Sequence, residues 1–355
     1  MLKKLNFLFF LSLFIHFPAH SGLFKINVLA QSGITADEAQ TVANLIAAEV
    51  NKKLPSAETQ DDYFEGMSNA NTISAAGMTT SYASVYKKFL LGLSVSAGAD
   101  LGSKKYTDLK NIGKNPEQFK GFGAQAAITL GLSVSNFSQA TWLESHPLNI
   151  YLSGFSAKRS FDKVDANYLG AALGLQYKIF NDKSWGSKSL KWTGLELGSG
   201  LLYSKLDIQA NIPLNDTFSV DNNGTSLDVS ITDASALLNA NVKTFSVPIE
   251  LSTGLRIFYL LKLVGGIGAD ISFGKTIGTG SLSSGNKITA LNGGNGITDA
   301  TGELNLDGGK NADILNPRFF FGPQIEFGIG SVFATLHKSL SKNAIAINSG
   351  VNFFW

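Results

Sequence analysis

Seven charged residues share one property. Glu196, Glu250, Arg256, Lys262, Asp270, Arg318 and Glu326 each fall on the polar positions of a stretch in which polar and apolar residues alternate. Carboxylates and cations spaced this way either pair across an interior or line a path for a polar solute. Both signs occur in neighbouring stretches, and pairing has the better case, because small closed sheets fill their interiors with side chains. Other chemistry is scarce. The chain has no Cys and four His, which excludes disulfides, thiolate nucleophiles and Cys metal sites. His16 and His20 belong to a leader described below, leaving His146 and His337. The alternation puts His337 on an inward face and His146 in a turn on the other side, so they do not share a metal. No motif supports a Ser-His-Asp site at His337. Gly266-Ile267-Gly268 lacks the helix that a dinucleotide fingerprint requires next. Asp221-Asn222-Asn223-Gly224 lacks the later acid of a calcium loop and fits turn chemistry. No catalytic residue, cofactor or metal is assigned, and the chain reads as a non-enzyme.

The charged positions belong to strands. In residues 122–134, Phe122, Ala124, Ala126, Ile128, Leu130, Leu132 and Val134 fall on one face, and Gly123, Gln125, Ala127, Thr129, Gly131 and Ser133 on the other. Such a run suits the roughly 10 residues that a tilted strand needs to cross a bilayer. The pattern recurs over 91–100, 169–179, 245–257 and 261–273, and less regularly over 147–157, 192–205, 317–329, 331–340 and 343–355. The connections 101–120, 158–166, 206–243, 274–316 and 341–342 alternate with 135–146, 180–191, 258–260 and the turn at Gly330-Ser331. The two very long ones share a parity. Short turns on one side and long loops on the other are the signature of an outer-membrane barrel, which a soluble sandwich has no reason to show. Pro248 and Pro323 stand inside proposed strands, where each removes a ladder hydrogen bond; a bulge or strand start is expected there. Inward glycines, Gly92, Gly98, Gly170, Gly174, Gly266 and Gly268, make room for something inside.

Two N-terminal segments are candidates for that filling. Residues 34–54 read as a helix, with capping-box spacing at Thr35 and Glu38 and a stop at Pro55. Residues 66–84 are rich in Ser, Ala, Asn, Thr and Gly and read as a thin helix or extended chain through or under the barrel, or as a plain linker. Ahead of them, Lys3 and Lys4 precede the apolar run Leu5–Phe17, which is too short to span a bilayer and reads as a signal peptide. Cleavage is expected after Ser21 or Ala30. Removing the first thirty residues, with Lys3, Lys4 and Lys25 and no acid, takes the net charge from +2 to −1, and nothing suggests nucleic acid as a partner. Only 16% of residues are charged, with 37 Gly and 25 Phe, a composition suited to strands facing lipid on one side and a crowded interior on the other.

The last stretch ends on aromatics, with Val351, Phe353 and Trp355 on one face. It resembles the C-terminal signal that the barrel-assembly machinery of the bacterial outer membrane recognises. That leader, Thr35-Ala36-Asp37-Glu38, the Lys87–Ala99 stretch and the aromatic end together resemble a leptospiral family of surface proteins. The resemblance implies adhesion to host matrix proteins, described for some members. The lipoprotein label of many members does not carry over, since the anchoring Cys is missing.

The reading is therefore an all-β chain: a signal peptide over 1–30, a helical or small-residue segment over 31–88, periplasmic or luminal, and an antiparallel transmembrane β-barrel of about ten strands over 89–355. Both termini are expected in the periplasm and the loops outside. The expected partners are the outer-membrane bilayer, the assembly machinery and host or extracellular proteins. The expected role is interaction or adhesion through outer loops; a narrow diffusion channel for small solutes is the alternative, and an outer-membrane hydrolase the third.

Overall fold

The computed structural model describes residues 24–28, 44, 57–76, 88–107, 120–138, 140–161, 164–185, 190–222, 225–258, 260–284, 288–292, 295–297, 300–304 and 306–355. Ten strands close a barrel: β1 (Phe89–Asp100), β2 (Gly121–Ser133), β3 (Leu148–Phe161), β4 (Val164–Phe180), β5 (Leu190–Asn222), β6 (Thr225–Ile257), β7 (Leu261–Ser284), β8 (Leu315–Phe327), β9 (Gly330–Ser339) and β10 (Ala344–Phe354). Each pairs antiparallel with its sequence neighbours, and β10 closes on β1 through pairs such as Val351 with Leu93. One helix, α1 (Ala57–Ala75), precedes the barrel. The predicted helix over 34–54 lies outside the described residues apart from Asn44, which is helical.

Alternation sets the faces. Along β2, Gln125, Ala127, Thr129 and Ser133 are buried, while Ile128, Leu130 and Leu132 are exposed. Side chains of successive strand residues point to opposite faces, so polar residues go inward and a continuous belt of exposed Leu, Ile, Val and Phe goes outward. A belt of that extent calls for an apolar solvent. The seam is pinned at one end, where the Trp355 carbonyl accepts the Lys88 and Phe89 amides, both at 3.0 Å, and the Phe89 and Trp355 rings lie 5.9 Å apart.

Neither proline sits at a bulge or a strand start. Each keeps its pairing on one side, Pro248 with Asp270 and Pro323 with Leu263. On the other side the pairing lapses, between Ser199–Ile249 and Leu202–Ser246 for Pro248, and between Phe321–Leu336 and Gln324–Phe333 for Pro323. Interrupting one ladder removes the need for the missing N–H.

The expected loop 206–243 is strand. β5 and β6 are each 33 residues long and stay paired from Leu206–Val242 to Asn222–Thr225, with one register shift between Leu214 and Asp216. Much of 274–316 is strand as well: β7 pairs with β6 as far as Ser284, and Leu306–Asn311 pairs back onto β7. Most of 158–166 is likewise taken up by β3 and β4. The ladder rests on backbone hydrogen bonds and so continues after the apolar alternation has ended. At about 3.3 Å per residue, the stretch 206–222 extends β5 by roughly 50 Å along the strand.

Both chain ends are expected on the short-turn side; the described elements ahead of the barrel lie at the hairpin end. α1 runs inside the barrel from the hairpin end toward its middle: Asp62 meets Lys120 and Glu65 meets Lys342 at the hairpin rim, while Ala75 clusters with Ala127, Ala172 and Leu202 deeper in. Phe24–Val28, inside the expected leader, form a strand against Ala300–Leu304, also at the hairpin end. Cleavage after Ser21 keeps this strand; cleavage after Ala30 removes it. Trp355 lies at the opposite end. Counting barrel strands alone leaves out α1, which lies in the lumen.

Candidate functional site

The lumen is filled in two tiers. The upper one is α1. Its N-terminal part carries Asp62, where the helix dipole favours an anion. From Phe64 to Ala76 it is buried on all sides apart from the half-buried Glu65, and it is built of small residues that let the wall come close. The approach is closest where both sides lack a side chain. Gly98 and Gly123 pair across β1 and β2. A Cβ on Gly123 would lie 2.6 Å from the Ala70 carbonyl and the Asn71 Cα, and one on Gly98 2.7 Å from the Ala70 carbonyl oxygen. Gly121 and Gly66 meet backbone to backbone, and Gly278 receives the Phe64 ring. Of the inward glycines singled out in the sequence, Gly98 serves the helix. Gly266 makes room for the Phe320 ring, Gly174 for Tyr151, Gly92 for Asn352 and Gly268 for Glu250.

Buried polar groups on α1 are paired: Thr72 and Ser74 donate to the helix's own carbonyls of Ser68 and Asn71, and the others reach the wall. Asn71 donates to Thr244 Oγ1 at 2.8 Å and to Ser204 Oγ at 3.2 Å, and accepts from Gln125 Nε2 at 2.6 Å. Tyr168 donates to Gln125 Oε1 at 2.5 Å. Ser68 shares a hydrogen bond of 2.7 Å with Thr276. At the rim, Lys342 bridges Glu65 at 2.7 Å and Asp313 at 3.2 Å, and the Glu65 hydrogen bond raises the lysine pKa. Asn69 caps the cluster by donating to Asp313 Oδ2 and accepting its amide. The sequence reading did not select these residues. Gln125 already stood on an inward face, but its partner Asn71 is recognisable only once the small-residue segment is placed inside.

The lower tier holds all seven charges selected from sequence. Arg318 donates from Nε to Asp270 at 2.8 Å and from Nη2 to Glu250. Lys262 meets Glu326 at 2.8 Å, and Arg256 reaches the other oxygen of that carboxylate. Glu196 accepts from Gln176 at 2.5 Å and lies 3.7 Å from Lys178, an inward cation the sequence reading left out. At the short-turn end Asp182 bonds Lys178 at 2.5 Å and Lys191 at 2.7 Å. Partial burial works against its charge, but the two lysine hydrogen bonds outweigh it and hold the carboxyl below its ordinary pKa.

His337 is fully buried in the lower tier. Its Nδ1 faces the Arg318 guanidinium at 3.0 Å, its Nε2 faces Thr335 Oγ1 at 3.2 Å, and its ring stacks on Phe320. A hydrolytic triad needs a carboxylate on the ring nitrogen that orients the base; here a cation stands there. His146 lies at the short-turn end with Nδ1 3.2 Å from the Lys178 carbonyl. Among the described residues no three His, Asp or Glu side chains are grouped to hold a metal ion.

A plugged, closed antiparallel barrel with a charge-paired lumen and an apolar outer wall defines the class. The particular family follows from its profile: the chain belongs to the Lsa36-like family, named for a leptospiral surface protein, with residues 29–355 matched. No curated protein sequence matches it. Among solved structures, the translocator domain of autotransporter NalP from Neisseria meningitidis is similar at 11% identity and a TM-score of 0.30, over 76% of this chain and 89% of that one. A Pseudomonas aeruginosa FadL homologue is similar at 10% and 0.26, over 81% and 94%. LpxR from Salmonella typhimurium is similar at 10% and 0.22, over 74% and 100%.

Proposed function

We propose that the chain is an integral barrel of the bacterial outer membrane that acts by contact with external partners, through the β5–β6 hairpin and the segment between β7 and β8. The observation that carries this reading is α1. A helix locked into the upper lumen above a layer of paired charges leaves the barrel without an open bore, so activity belongs to its exposed surface. The apolar outer belt supports membrane insertion, and the terminal Val351, Phe353 and Trp355 support delivery by the assembly machinery. With the short turns in the periplasm, the long hairpins face the medium. A projecting hairpin suits adhesion to host or extracellular proteins, since binding residues gather on loops held by a rigid scaffold.

Two measurements test the reading. In planar bilayers, purified full-length protein gives no stable open-channel current; steady currents would establish the diffusion channel instead. A chain in which residues 207–241 are replaced by an Asn-Gly turn still folds into a barrel and reaches the membrane, but loses attachment to extracellular matrix protein. Unchanged attachment would remove the hairpin from the binding surface.

A further inference from the structure

The lipid-facing wall carries a charge pattern that the lumen does not explain. Tyr203 of β5, Phe245 of β6 and Phe273 of β7 stand side by side in register. One step toward the hairpin end on the same face, Lys205, Lys243 and Lys275 form a second row. One step toward the short turns, the outward residues are Leu201, Val247 and Ile271. The wall thus passes from aliphatic to aromatic to cationic over three rungs of the ladder.

The depth fits an interface. From Phe245 to Ile257, β6 covers about 30 Å along the barrel axis at roughly 3.3 Å per residue and a tilt near 40°. This matches an apolar band about 25 Å tall flanked by an aromatic girdle at each end. The lysine row lies about 5 Å further out, at the depth of lipid headgroups.

The row is also electrically incomplete. Lys205 has Asp207 at 2.5 Å. Lys243 and Lys275 face each other directly across β6 and β7, and no carboxylate among the described residues pairs with either. The nearby carboxylate of Asp313 is taken by Asn69 and Lys342. Like charges opposed across a ladder destabilise the pair, and an anion between them reverses that effect. At their foot lies a cavity of about 460 Å³, lined by both lysines, the three aromatic rings and Ile314. It opens where the partner of β7 changes from Leu306–Asn311 to β8, held by Ala312 N to Gly274 O at 2.9 Å and Ser272 N to Ile314 O at 2.7 Å.

We propose that this groove binds an anionic, phosphate-bearing lipid of the surrounding leaflet, with the phosphate between Lys243 and Lys275 and the upper acyl carbons against Tyr203, Phe245 and Phe273. The inference rests on the membrane placement given above.

The test reconstitutes the full chain in phosphatidylcholine vesicles with and without phosphatidylglycerol, and compares wild type with Lys243→Gln/Lys275→Gln and with the control Lys104→Gln/Lys158→Gln. Thermal unfolding is followed by gel mobility, and retained lipid by native mass spectrometry. Wild type and control unfold at higher temperature with phosphatidylglycerol and retain it. The groove variant loses the upward shift and retains the lipid about tenfold less. In pure phosphatidylcholine the groove variant unfolds no lower than wild type, because its repulsion is gone. This comparison shows that the variant folds. Equal lipid retention by wild type and groove variant would overturn the proposal. So would an equal upward shift produced by millimolar inorganic phosphate in phosphatidylcholine, which would make the groove a site for a free anion. Failure of wild type to insert into either vesicle would instead overturn the membrane placement.

Discussion

Replacing both members of the Gly98–Gly123 pair by Val should unseat the helical plug. The added Cβ atoms would fall 2.6–2.7 Å from backbone atoms of Ala70 and Asn71, and backbone cannot swing aside as a long side chain does. Overpacking of this kind costs about 1–3 kcal/mol per site. The two sites press on the same turn of α1, so their costs overlap, and about 3 kcal/mol for the pair is a fair expectation. That is a shift of roughly a hundredfold toward the unseated state, and the barrel wall, held by its own ladders, stays closed. A departing helix empties the upper lumen over about 10 Å, the breadth of a helix with its side chains, and leaves the layer of paired charges as a narrow constriction. Planar-bilayer recording of the double variant should therefore show small currents where wild type is silent, and protease added to whole cells should cut near Asp62. A control variant, Gly154→Ala, adds its Cβ no closer than 3.5 Å to the Gly170 carbonyl and should behave as wild type. If the double variant folds and is as silent and protease-resistant as wild type, α1 is not what closes the lumen.

Other perturbations test the remaining parts. Arg318→Met leaves Glu250 and Asp270 buried without their cation and should lower stability by about 3–5 kcal/mol, read as a lower temperature for the gel-mobility transition. Adding Glu250→Gln and Asp270→Asn should restore much of it. Asn71→Leu strands Gln125, Ser204 and Thr244 and should loosen the plug by about 1–3 kcal/mol, measured as faster amide exchange in α1. Asp182 has a lowered pKa in the fold, so its contribution is complete above the ordinary carboxylate pKa and is lost as pH falls through the lower folded value. Wild type should exceed Asp182→Asn in stability at neutral pH, with the gap closing only in strong acid. Trp355→Ala removes the ring set against Phe89 and should slow barrel assembly in a pulse-chase experiment.

The ten strands and the inward placement of Glu196, Glu250, Arg256, Lys262, Asp270, Arg318 and Glu326 were legible because a membrane sorts side chains with a period of two. Legibility stopped where that sorting stops. Past Leu206 the apolar alternation that betrays a strand vanishes, while the ladder persists to Asn222–Thr225. Asn223-Gly224, a strong hairpin-turn signal, was the clue that two strands rather than a loop led up to it. The glycines were visible as inward gaps, but what fills each gap depends on cross-strand register: Gly266 faces Phe320 through the pairing of β7 with β8, which one strand read alone does not disclose. Lys178 was on an inward face and was passed over because its partners, Glu196 and Asp182, come from different strands and turns.

The luminal helix also changes the arithmetic of the barrel. Ten strands return a chain to the side from which it set out. α1 begins at the hairpin rim, where Asp62 meets Lys120, whereas β1 begins at the short turns with Phe89 beside Trp355, so an even-stranded wall is entered from the side opposite to the one on which it ends. In the proposed orientation, with the hairpins outside, a sequence fused ahead of Ala57 should emerge on the side of the medium. An epitope tag placed there should then be readable on intact cells, and a silent tag would refute that orientation.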